Sequence, residues 1–118
     1  MVTDPTRHVD PQTLFQAVVS AESRLRGSVV HTPLVSCPWL SEELSADVRL
    51  KLENVQHTGS FKLRGASNAL HCLSSEQRAN GVVAASSGNH GLGLAHAAQQ
   101  FGCEATVFVP TSTPERKR

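Results

Sequence analysis

Two stretches of this chain follow the same plan, and together they limit the folds open to it. Val48 to Gly65 reads VRLKLENVQHTGSFKLRG. Val48, Leu50 and Leu52 alternate with Arg49, Lys51 and Glu53, the period-two pattern of a strand with one wet or functional face. Asn54 to Ser60 is loop. From Phe61 onward, Leu63, Ala66, Leu70 and Leu73 fall at helical spacing, with Lys62 just inside the helix start. Val82 to Gly93 (VVAASSGNHGLG) repeats the order of apolar run, Ser/Gly/Asn turn and helix. The run Val82 to Ala85 is wholly apolar, as expected of a strand buried on both faces. Strands alternating with helices imply an α/β fold, a parallel sheet with flanking helices and right-handed crossovers. Such a sheet brings Lys62 and the turn from Ser86 to Gly91 to one edge.

The other segments fit this plan. Asp10-Pro11 is a helix start, because Asp can cap and Pro suits the first turn. Leu14, Val18, Ala21 and Leu25 follow at helical spacing, Arg24 and Arg26 suit the carboxyl end, and Gly27 stops the helix. Val29 to Val35 is extended, since Pro33 disfavours helix at Thr32. Trp39 to Ser45 can form a short helix, and Ser74 to Asn80 a helical turn closing at Gly81. Asn89 to Phe101 is helical and capped by Gly102. Ala105 to Val109 is a further strand. Met1 to Val9 is polar and expected to fray, and Thr113-Pro114-Glu115 looks like a fresh helix start. The sequence stops soon after, and reads as a fragment or truncated product of something longer.

Composition closes several classes. A net charge of +1 gives no nucleic-acid surface. No segment approaches the ~20 apolar residues of a membrane span, and the polar N-terminus is no signal peptide. Cys37, Cys72 and Cys103 lie far apart with no metal-ligand or CxxC spacing, which fits reduced thiols in a cytoplasmic protein. The six histidines form no HxxxH or HExxH pair, so no metal is expected.

The two turns carry the chemistry. Beyond the carboxyl end of a parallel strand, a following helix aims unpaired N–H groups and a partial positive charge at a ligand. Ser86, Ser87, Gly88, Asn89, His90 and Gly91 would suit a carboxylate or phosphate there, although an ordinary capped helix satisfies the same residues. Gly88, Gly91 and Gly93 are spaced GxxGxG, not the GxGxxG order of dinucleotide folds, and no GxxxxGK[ST] run exists. A nucleotide-binding module is therefore the weaker reading. Lys62 is a candidate nucleophile or base, set against a solvated surface lysine. A helix start disfavours an ammonium by only about 0.3–1 kcal/mol. Burial under a cofactor or a standing Schiff base must do most of any activation.

Lys51 to Asn54 (KLEN), Thr58 to Ala66 (TGSFKLRGA) and Ser86 to Gly91 (SSGNHG), with Thr32-Pro33-Leu34 and Val109-Pro110, resemble the threonine/serine dehydratase and serine racemase family. These are pyridoxal-phosphate enzymes of the tryptophan-synthase β-like fold, fold type II. The resemblance runs from about Pro33 onward and covers the N-terminal third or so of the family pattern. It implies that residues 1–80 begin the large domain and 81–118 the small domain. It implies pyridoxal 5'-phosphate as cofactor, held in Schiff-base linkage by Lys62, with Phe61 beside it and Asn89 bonding its ring hydroxyl oxygen. Ser86, Ser87, Gly88, Asn89 and His90 would hold the substrate carboxylate, and Ser87 serves as acid/base in the racemase branch. The implied reaction is α,β-elimination on L-threonine or L-serine, giving a 2-oxo acid and ammonia, with Lys62 taking the α-proton. Full-length relatives are expected to be homo-oligomers. The glycine-rich phosphate cradle and the residue at the ring nitrogen, both farther along in the family, have no counterpart in these 118 residues. The alternatives are serine racemisation and a non-catalytic truncated product.

Overall fold

The computed structural model describes residues 9–114. The readings of a frayed N-terminus and of a helix start at Glu115 therefore fall wholly or partly outside the described residues. The elements are α1 (Pro11–Leu25), β1 (Leu34–Ser36), α2 (Pro38–Leu44), β2 (Arg49–Lys51), α3 (Lys62–Cys72), α4 (Ser75–Ala79), β3 (Val82–Ala85), α5 (Asn89–Phe101) and β4 (Ala105–Phe108). A 3-10 turn, Glu53–Val55, follows β2.

Local chemistry explains the helix boundaries. The Asp10 carboxylate accepts from the Thr13 N–H at 2.9 Å and starts α1, with Pro11 in its first position. Ser74 and Gln77 form a reciprocal capping box on α4. Gly102, at φ 60°, closes α5 in the left-handed region that glycine enters at little cost.

The core is the contact between α3 and α5. Leu63, Ala66 and Leu70 from α3 pack with Leu94, Ala97 and Ala98 from α5, all buried. Each fully buried leucine contributes roughly 1.5–3 kcal/mol of transfer free energy. Val82, Ala84, Ala105 and Val107, alternate residues of β3 and β4, close this core from the side.

The sheet departs from the sequence reading in three ways. First, the strands form two separate pairs. β3 and β4 are parallel, with Val82 opposite Ala105 and Ala85 opposite Phe108. β1 and β2 are antiparallel, with Leu34 opposite Lys51. Second, Val82 to Ala85 is not buried on both faces. Val82 and Ala84 are half-buried, while Val83 is 70% exposed and Phe108, opposite Ala85, is 63% exposed. A single helix covers this sheet on one side, so burial alternates along the strand. Third, Lys62 follows β2 and the turn from Ser86 to Gly91 follows β3, so no common sheet edge joins them. The α3–α5 contact joins them instead. Likewise the stripe expected to bury α1 does so only at Leu25, while Leu14 and Val18 are more than half exposed.

Candidate functional site

Lys62 is the first residue of α3. The loop before it turns at Gly59, whose φ of 67° favours glycine and whose N–H donates to the Gln56 carbonyl at 2.8 Å. The hydroxyls of Thr58 and Ser60 are buried in this turn and find no hydrogen-bond partner among the described residues.

The loop is fixed by polar contacts that reach back to the extended segment 29–33. The buried Gln56 amide is used at both ends. Its oxygen accepts from the Val30 N–H at 2.8 Å, and its nitrogen donates to the Val30 carbonyl at 3.0 Å. This is the pairing a neighbouring strand would make, supplied by a side chain. The Arg64 guanidinium grips Glu53 in a fork, Nε to Oε2 at 3.0 Å and Nη2 to Oε1 at 2.7 Å. It also donates to the Val30 carbonyl at 3.1 Å. The fully buried Thr32 donates its hydroxyl proton to Glu53, and Lys51 Nζ donates to the Thr32 carbonyl at 2.6 Å. Arg64, followed by the Thr32 hydroxyl, holds the Glu53 carboxyl down to about 2. Two residues beyond Lys62, the helix is thus tied to the 3-10 turn after β2 and to the segment before β1. Sequence reading missed this clamp by treating Lys51 and Glu53 as a wet strand face. The signal was present: a cation in the first turn of a helix, where the dipole disfavours it, calls for an acidic partner nearby.

Lys62 itself is left free of such ties. Its Nζ lies 4.7 Å from the centre of the Phe61 ring. The ion pairs among the described residues join Arg26 to Glu22, Arg49 to Asp47 and Arg64 to Glu53, and none takes Lys62. Both Lys62 and Phe61 are exposed.

The second turn is built by Ser86. Its N–H continues the β3–β4 ladder by donating to the Phe108 carbonyl at 3.0 Å. Its Oγ accepts from the Gly91 N–H at 3.0 Å and the Gly88 N–H at 3.3 Å, so the hydroxyl caps α5. The intrahelical ladder begins with the Leu92 N–H on the Gly88 carbonyl. The N–H groups of Asn89 and His90 precede that ladder and remain available at the positive end of the helix. Ser87, Gly88, Asn89 and His90 are exposed. Of the five turn residues expected to meet a carboxylate, four present open surface, and Ser86 is engaged in holding the turn.

The two turns converge because α5 rests on α3. At Gly93, a Cβ would fall 3.1 Å from the Leu63 nitrogen and 3.2 Å from the Lys62 carbonyl carbon. The glycine spacing weighed above as a nucleotide motif is thus accounted for by packing. An open cleft of about 660 Å³ lies elsewhere, between α1 and the β2 side, lined by Val18, Leu25, Val29, Lys51 and Phe61 but by no residue of the second turn. It is an uncovered apolar flank with Phe61 at its rim, and the amine and turn chemistry lies outside it. The described residues contain no cluster of three or more metal-ligating side chains and no helix long and apolar enough to cross a membrane.

A primary amine without an ionic partner among the described residues, an adjacent exposed ring, and exposed hydroxyl, amide and backbone N–H donors on a turn are groups of the kind an aldehyde cofactor and a carboxylate require. Residues 25–118 match the sequence profile of the family described as pyridoxal-phosphate dependent enzyme. The chain is 48% identical over 100 residues to the biosynthetic L-threonine dehydratase of Lactococcus lactis, covering 85% of this chain and 24% of that protein. Among solved structures it superposes on serine racemase from Dictyostelium discoideum with a TM-score of 0.81 and 36% identity, covering 86% of this chain and 34% of that one. It superposes on processed threonine deaminase isoform 2 from Solanum lycopersicum with a TM-score of 0.78 and 38% identity, covering 99% and 32%. The chain therefore spans about a quarter to a third of the length of these relatives.

Proposed function

The chain belongs to the pyridoxal-phosphate dependent enzyme family, and from that premise we propose that its residues supply the amine and the carboxylate-binding turn of an L-threonine or L-serine dehydratase. The α/β architecture is that of the fold type II members of the family. The observation that carries the reading is the pairing of a lysine that has no carboxylate partner among the described residues with an open helix-start turn on α5, whose Gly93 packs against the Lys62–Leu63 backbone. In this reading residues 1–80 begin the large domain and 81–118 the small one.

Pyridoxal 5'-phosphate, when bound, supplies an electron sink for charge developing at the substrate α-carbon. Lys62 would hold it covalently, Phe61 would pack beside it and Asn89 would bond its ring hydroxyl oxygen. The chain's own contribution is binding, orientation and proton movement. The N–H groups of Asn89 and His90, with the Ser87 hydroxyl, bind the substrate carboxylate at the helix start. As a free amine, Lys62 Nζ would take the α-proton and would return a proton to the departing β-hydroxyl, which leaves as water. The clamp of Gln56, Glu53 and Arg64 holds the first turn of α3 still, so that Nζ is presented from a fixed backbone. The substrate is a small amino acid, and the compartment is cytoplasmic.

Racemisation is the second reading, because Ser87 is exposed and serine racemases are among the structural relatives. Chiral chromatography of L-serine incubations separates the two, with D-serine favouring racemisation and pyruvate elimination. The primary test is covalent. Treatment with pyridoxal 5'-phosphate and borohydride should place the reduced label on Lys62, and Lys62→Ala should lose it. A label found on Lys51 or Lys117 instead removes Lys62 from the site.

A further inference from the structure

We propose that Gly93 is a positioning residue, which sets the distance between Lys62 and the carboxylate-binding turn; this rests on the reading of Lys62 given above. Helices usually keep apart by the width of their side chains, about 8–10 Å between axes. Here the fifth residue of α5 has no side chain, and its α-carbon approaches the main chain of α3 at the residue that carries the amine. A Cβ at Gly93 would meet Leu63 N at 3.1 Å, Lys62 C at 3.2 Å and Leu63 Cα at 3.3 Å. All three are backbone atoms, so no rotamer change can make room. The contact must give by a few tenths of an ångström, and the groups that face it are the backbone atoms of Lys62 and Leu63.

The neighbouring glycines sharpen the assignment. A Cβ at Gly91 would meet Val107 Cγ1 at 3.0 Å and the Ser86 carbonyl oxygen at 3.1 Å, so this glycine seats the turn against β4. One of its neighbours is a side-chain methyl that can yield. Gly65, on α3, has nothing within 4 Å of a Cβ. Thus one glycine fixes the turn to the sheet, one fixes α5 to the lysine, and one is free of either duty. Reacting groups demand such control, since a misplacement of ~1 Å can cost ~100-fold in rate.

The test uses the 118-residue chain carrying the borohydride-reduced pyridoxyl phosphate label on Lys62, followed by backbone amide NMR. In the unsubstituted chain the label should shift the amides of Ser87, Asn89 and His90. In Gly93→Ala, Lys62 should label at a rate within about twofold of the unsubstituted chain while those shifts fall by at least half. Gly65→Ala should keep both, with an unchanged or raised melting temperature. Equal turn shifts in Gly93→Ala overturn the proposal. Failure of Lys62 to label in the unsubstituted chain overturns the functional reading instead. Should Gly93→Ala not fold, the unsubstituted chain decides: nuclear Overhauser contacts between the Gly93 α-protons and the Leu63 amide, together with turn shifts on labelling, support the spacing role, and the absence of either refutes it.

Discussion

Replacing Glu53 by Gln should destabilise the chain at neutral pH, and the loss should vanish in acid. The Glu53 carboxylate accepts from Arg64 at 2.7 and 3.0 Å and from the Thr32 hydroxyl, and its side chain is only 15% exposed. Its pKa falls from 4.5 to about 2. At ~1.4 kcal/mol for each tenfold change in the proton equilibrium, that fall corresponds to roughly 3.5 kcal/mol. The Arg64 side chain is 31% exposed, so solvent screens part of the attraction, and about 2 kcal/mol is the working figure. The sign follows from linkage. A carboxyl whose pKa is lowered by folding adds stability that is fully present above the unfolded value of 4.5. That stability is lost as pH falls towards about 2. Urea unfolding by circular dichroism, on the parent and Glu53→Gln, should show a gap of about 2 kcal/mol near pH 7. The gap should narrow below about pH 4.5 and be nearly closed by about pH 2. A gap that ignores pH, or none at neutral pH, would falsify the clamp as an electrostatic device.

Three further outcomes follow from the same contacts. Gln56→Ala leaves the Val30 N–H without its partner and the Val30 carbonyl with Arg64 alone. It should cost roughly 1–3 kcal/mol by urea unfolding, and a cost under a few tenths would show that this pairing is idle. Ser86→Ala removes the oxygen that caps α5 at Gly91; a loss of about 1 kcal/mol is expected, together with faster amide exchange at Gly91 than at Ala97. Val83 and Phe108 lie on adjacent strands as exposed apolar residues. The 118 residues expressed alone should therefore self-associate, and Val83→Thr with Phe108→Thr should reduce the associated fraction in sedimentation velocity. Unchanged sedimentation would place the sticky surface elsewhere, with the exposed Phe15 and Val18 of α1 the next candidates.

Much of this was legible in the sequence because the signals were local. Asp10 capping α1, the stripe of Leu63, Ala66 and Leu70, and the left-handed stop at Gly102 each depend on a few neighbouring residues. The placement of Lys62 at a helix start was legible for the same reason. The sheet was less so. Leu34–Ser36 is three residues long and fully exposed, and its pairing with Arg49–Lys51 has no local signature. The apolar run Val82–Ala85 looks two-faced, but burial depends on how many layers cover a strand, and one helix covers this one. Gly93 was read as part of a weak nucleotide pattern, since only three-dimensional packing reveals whose backbone it touches.

The contacts divide the motif residues into two kinds. Glu53, Gln56, Arg64 and Ser86 have their hydrogen-bonding groups engaged within the chain. Lys62, Ser87, Asn89 and His90, interleaved with them, are exposed, and Lys62 has no ionic partner among the described residues. The engaged groups fix the backbone on which these exposed side chains stand. Rigid neighbours around open reactive groups are what preorganised chemistry requires, because donors already held in place need no reorganisation when charge develops. Arg64 puts the argument most plainly. A cation in the first turn of α3 opposes the helix dipole, yet here it ties Glu53, Val30 and Thr32 to the turn that begins with Lys62. The local cost at the helix start is offset by a fixed frame two residues from the amine.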